Sequence, residues 1–150
     1  MAYADQVAAV KTHAVAAGAA LARAITDVQV AAPVPRGRCV RIFYGGEAEP
    51  VRMGTARVLT GELIAERIVV VVFLPIGEYG ETLTSAIEDD LYAFKHELRT
   101  RVQADSQLGG QSTDLEIGYA ATEFFQIGQV VYRTLELEIT TDYFEYPIVP

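Results

Sequence analysis

The stretch Ile68–Phe73 constrains this chain more than any other: five consecutive β-branched residues, Ile68 to Val72, closed by Phe73. Such side chains crowd a helix and suit a pleated strand. A strand that is apolar on both faces needs cover on both, so this run predicts the central strand of a sheet. Pro75 and Gly77 stop it. Upstream, Val58–Glu66 reads in one of two ways. It is a partner strand with a turn at Thr60-Gly61 or Gly61-Glu62, or the front of one long strand bent at a Gly bulge.

The flanks supply elements to lay on such a strand. Leu83, Ile87, Leu91, Phe94, Leu98 and Val102 recur at helical spacing, so 82–104 reads as an amphipathic helix. Ser85 and Glu88 match a capping box, with Thr82 and Thr84 as alternative starts. Its early charges are acidic (Glu88, Asp89, Asp90) and its late ones mostly basic (Lys95, Arg99, Arg101), which complements the helix dipole. A first helix over 4–27 carries a thinner stripe: Val7, Val10, Ala14, Ala17, Leu21 and Ala24. Pro33 and Pro35 break it. Residues 38–44 alternate, with Val40, Ile42 and Tyr44 opposed to Arg41 and Phe43, and read as a strand ended by Gly45-Gly46. The segment 45–56 has no period and reads as a loop or arm.

Two antiparallel strands close the chain. The first, 114–121, places Leu115, Ile117, Tyr119 and Ala121 on one face. The second, 130–144, turns Val131, Leu135, Leu137, Ile139 and Tyr143 inward, and Tyr132, Thr134, Glu136, Glu138, Thr140 and Asp142 outward. Arg133 interrupts the inner row, either at an exposed strand start or paired with an acid. Gly128-Gln129 marks the turn. The order α-β-(β)β-α-β-β predicts a single α+β domain over 1–150. It is a two-layer sandwich with both helices on one face of an antiparallel or mixed sheet.

Composition bounds the function. A chain of 150 residues with 51% hydrophobic content can bury one core and is not disordered. The longest apolar run, Ile68–Ile76, is far short of a bilayer span, so no membrane association is expected. Asp5 comes early and no basic leader precedes it, so no secretory signal is expected. The single Cys39 permits no internal disulfide, which points to a reducing cytoplasm. A net charge of −8 repels phosphate backbones and argues against specific nucleic-acid binding. The charge is uneven. Residues 36–67 are net +2 and residues 114–150 net −6, a pattern that suits head-to-tail contacts between copies.

No motif for chemistry emerges. His13 and His96 read as solvated helix residues, and neither forms part of a metal-ligand spacing. Cys39 reads as a small buried hydrophobe, with a Cys39/His96 nucleophile pair as the remote alternative. Gly45-Gly46 lacks the spacing of a phosphate loop. Glu88, Asp89 and Asp90 read as a solvated acidic face, as do Glu136 and Glu138. No catalytic residue, metal site or cofactor is predicted. The surplus is contact-making material instead: the arm, Phe124-Phe125, a final strand of about 15 residues where about five or six is usual, and the apolar tail 146–150.

Three stretches carry a resemblance: FYGGEAEPVRMGTARVLTGELIAERIVVVVFLP at 43–75, ETLTSAIEDDLYAFKHELRTRV at 81–102, and YRTLELEITTDYFEYPI at 132–148. In layout the chain resembles the tail terminator (tail completion) proteins of long-tailed bacteriophages. The resemblance implies a homo-oligomeric ring, typically a hexamer, that caps the head-proximal end of the tail tube and stops its polymerisation. It implies two partners, the tail tube protein and a head-tail connector or stopper protein, and DNA only as cargo passing through the lumen. It implies assembly in the host cytoplasm and residence in the virion tail or neck, with no catalytic residues to carry over. Other neck proteins (connectors, adaptors, minor tail proteins) share this build, and a small α+β ligand-binding module is the further alternative. For a ring, the expected partner contacts are Glu47, Glu49, Arg52 and Met53 of the arm, Phe124 and Phe125, and Tyr146 and Ile148 of the tail. Arg57 and Arg67 are expected to meet Glu136 or Glu138 across subunits.

Overall fold

A computed structural model describes residues 2–31, 34–48, 62–80, 84–105, 107–110 and 114–145. Among them lie α1 (Ala2–Ala19), β1 (Asp27–Val30), β2 (Cys39–Ala48), β3 (Glu62–Pro75), α2 (Ser85–Ala104), β4 (Asp114–Ile127) and β5 (Val130–Glu145). The strands form one sheet in the order β1-β2-β3-β5-β4. β1 runs parallel to β2, and every other pairing is antiparallel. The architecture is the expected α+β sandwich with a mixed sheet.

The apolar run takes the middle of the sheet as expected. Ile68, Val70, Val72 and Leu74 are fully buried towards the helices, beside Val40 and Ile42 of β2 and Leu135, Leu137 and Ile139 of β5. The two helices close this face. α2 contributes Ile87, Leu91, Phe94, Leu98 and Val102, and α1 contributes Val7, Val10, Ala14 and Ala17, with Leu21 following just past its end. Burying each of the valine, leucine, isoleucine and phenylalanine side chains among these is worth about 1.5–3 kcal/mol. The far face is partly closed as well: Cys39, Phe73 and Tyr132 form a small second cluster there. Tyr132 therefore faces outward as expected but is buried, and its hydroxyl donates to the Pro35 carbonyl at 3.3 Å.

Several boundaries differ from the sequence expectation, each for a local reason. The first helix ends at Ala19 rather than 27, because the Gly18 carbonyl accepts the N–H of Ile25 at 3.0 Å and turns the chain back. A Cβ on Gly18 would lie 2.4 Å from the Ile25 carbonyl oxygen, so glycine permits this approach. The chain freed by that turn forms β1, which the sequence reading places inside the helix and connector. Gly45-Gly46 does not end β2; the pair forms a bulge between Tyr44 and Gly46 and the strand continues to Ala48. β3 is one strand from Glu62 onward, while 49–61 lie outside the described residues. α2 starts at Ser85 with Thr84 as N-cap, and that Thr makes no side-chain capping bond. β4 runs six residues past its expected end, to Ile127. A bulge between Ile117 and Ala120 moves Ala120, not Ala121, onto the face of Leu115 and Ile117. Gly128 at φ +59° opens the two-residue turn to β5.

Candidate interaction surfaces

The sheet has two unlike ends. At one, Glu62 lies opposite Glu145 and Asp114 opposite Asp142. Ala48, Glu62 and Glu145 therefore stand at the same end of the sheet, next to the residues 49–61 and 146–150 that lie outside the described residues. At the other, Pro75 pairs with Tyr132, and the β4–β5 turn stands beside it. Phe124 and Phe125 lie near this second end, on opposite faces of β4, with 57% and 48% of their surface exposed. Each ring is partly steadied. The Arg133 guanidinium lies 4.7 Å from the Phe124 centroid, and Phe125 meets Phe73 edge-on at 6.2 Å.

Arg133 is the inner-row exception resolved as an acid pair: its Nε donates to Glu88 Oε1 of α2 at 2.8 Å. Arg67 pairs with Glu138 at 3.2 Å within the same chain, and its Nη1 donates to the Glu47 carbonyl at 3.0 Å. Arg67 and Glu138 are thus already partnered within one chain, because β3 and β5 are neighbouring strands. Glu47 and Glu136 are exposed. Glu49, Arg52, Met53, Arg57, Tyr146 and Ile148 lie outside the described residues.

At the β1 side, Tyr3, Val7, Val30, Ile42, Phe43 and Tyr44 line an apolar groove of about 470 Å³ between α1 and β2. The Tyr44 hydroxyl donates to Glu66 Oε2 at 2.7 Å, which holds its ionisation up to about 12 and keeps it a donor. Tyr3 meets Tyr44 edge-on at 5.2 Å.

Sequence reasoning missed a polar knot on the helix side. Tyr79 donates its hydroxyl to Asp90 Oδ2 at 2.5 Å and accepts from Arg38 Nη1 at 2.8 Å. Arg38 also donates to the Arg23 carbonyl, and Arg23 lies 4.8 Å from the Tyr79 ring centroid. Burial and the Asp90 bond push the Tyr79 ionisation well above its ordinary value. Its phenol is a fixed donor rather than a base, and the knot ties three loops to α2. His13 is not a solvated residue: its Nε2 lies 2.7 Å from Asp105 Oδ2 at the end of α2. Cys39 and His96 do not meet, since Cys39 is buried on the face away from the helices while His96 stacks on Tyr92. Burial pushes the Cys39 thiol up, as in an inert cysteine. Among the described residues no three His, Cys, Asp or Glu side chains gather as a metal site.

Against known proteins, no family model matches this chain. No curated protein matches it either.

Proposed function

We propose that this protein is a structural assembly protein of the tail terminator kind, acting as a ring that caps the head-proximal end of a phage tail tube. The ring ends tube growth, presents its opposite side to a head-tail connector, and lets DNA pass through its lumen. The observation that carries this reading is the polarity of the sheet. The strand ends Ala48, Glu62 and Glu145 stand at one end and the exposed Phe124 and Phe125 near the other, so one subunit can face two different neighbours. Exposed apolar material on loops and strand ends marks partner surfaces. The net charge of −8 suits a channel that must not retain DNA.

The test adds the purified protein to polymerising tail tube protein from the same genome. Native mass spectrometry is expected to give a single closed oligomer, and electron microscopy shorter tubes, capped at one end, as the protein is increased. A monomer at every concentration, with tube length unchanged, overturns the reading.

A further inference from the structure

β2 is longer than the strand beside it. β1 pairs only with residues 39–42, so from Phe43 to Ala48 no described strand lies along that side of β2. The chain leaves the sheet abruptly. Ala31 donates its N–H to the Ile42 carbonyl at 2.9 Å and then takes φ +55°, a conformation that steers it away. Ile42 thus turns its carbonyl to this side, and by alternation the backbone of Tyr44 turns the same way with no strand to meet it. The N-terminal half of α1 roofs the gap, and the apolar groove lies beneath it. The vacancy has the form of a strand slot in line with β1.

Among the described residues the opposite border of the sheet is also open, because β4 pairs with β5 alone. Past its bulge, Ala120–Ile127 runs without further irregularity against Val130–Leu137. Ala120 packs against the helix-side core, so Thr122 and Phe124 face that side too. Phe124 confirms the direction by lying under Arg133, which reaches Glu88 of α2. A continuous sheet keeps its helix side from one molecule to the next, so a β4 set beside β2 would point Thr122 and Phe124 into the groove. Residues 114–132 contain no Lys or Arg, and the groove carries Lys11. A chain's own β4 cannot fill the slot, since three strands separate it from β1.

Resting on the ring reading above, we propose that the slot beside Phe43–Ala48 is filled by β4 of a second copy, so that one sheet passes from subunit to subunit. Sheet extension of this kind gains main-chain hydrogen bonds along the edge and specificity from alternate side chains. The contact is heterologous, β2 edge to β4 edge, as ring closure requires.

The test prepares two variants, Tyr44→Cys and Thr122→Cys, and treats them with a short bis-maleimide, separately and mixed. Cys39 is fully buried and does not compete. A covalent dimer is expected only in the mixture. A dimer from Tyr44→Cys alone means that two β2 edges meet, and overturns the proposal. So does crosslinking to Ile148→Cys in place of Thr122→Cys, which assigns the slot to the C-terminal tail. Closed oligomers by native mass spectrometry without any crosslink overturn the slot and leave the ring standing, whereas a monomer fails both. In parallel, Tyr44→Pro removes the edge N–H and is expected to weaken self-association at least tenfold with the circular dichroism spectrum retained. Unaltered association of that folded variant also overturns the proposal.

Discussion

Arg41 lies on the face of the sheet away from the helices, yet only 3% of its side chain is exposed. Its two terminal nitrogens reach both oxygens of Asp27 at 3.1 Å, a bidentate pair that joins β2 to β1. Removing the acid would leave a buried cation with one partner fewer. Asp27→Asn is therefore expected to destabilise the fold by about 1–3 kcal/mol, read as a lower urea midpoint with the slope unchanged. The hydrogen bonds from Arg41 hold the Asp27 carboxyl below the ordinary range. Burial would raise Asp105, but the Gly109 N–H and His13 outweigh it and hold that carboxyl low as well. For both acids the folded value is depressed. Their contribution is thus complete above the unfolded carboxylate pKa of about 3.9 and is lost as pH falls through the folded values. Asp27→Asn with Asp105→Asn should flatten the acid limb of the thermal midpoint against pH, and an unaltered limb would refute the assignment. Neither pair was legible in the sequence. The partners stand 14 and 92 residues apart, and Asp27 reads there as the last turn of a helix.

At the scale of elements, legibility followed the length of the pattern. α2 could be read because five buried residues keep one face over twenty positions. β3 could be read because β-branched residues fill both of its faces. β1 could not, since four residues give too few alternations to outweigh an alanine-rich stretch. The β4 bulge was hidden for another reason: strict alternation assumes no inserted residue, and Gly118 falls within the slip. The end of α1 is the element boundary with the clearest single cause. Gly18→Ala would press a methyl group onto the Ile25 carbonyl. That shift would loosen the turn into β1, although alanine favours helix by about 1 kcal/mol over glycine. A net loss of thermal stability is expected, with faster hydrogen exchange concentrated at Ile25–Val30. A gain in stability would show that the turn has room to move.

For the whole molecule, the two-layer α+β sandwich is foreseen by residue patterning apart from β1, whereas the surfaces proposed for assembly are only half legible. Phe124 and Phe125 stood out in sequence, but the groove at Tyr3 and Tyr44 arises from two elements that are separate in sequence, α1 and β2, and from the early end of β1. Exposed positions usually shift stability by less than about 0.5 kcal/mol. Phe124→Ser with Phe125→Ser should accordingly leave the thermal midpoint nearly unchanged and lower the oligomer mass, measured by light scattering. An unchanged mass would remove the aromatic hairpin from the interface.

A border strand with nothing beside it invites further chains. When the two borders differ in shape, each newcomer satisfies one and presents the other afresh, so growth halts only when the last molecule meets the first. Neighbouring strands rotate by roughly 20–25°, and that angle, summed over five strands and trimmed by the kinks at Gly46 and Gly118, would decide the headcount. An error of a few degrees would yield a spiral thread.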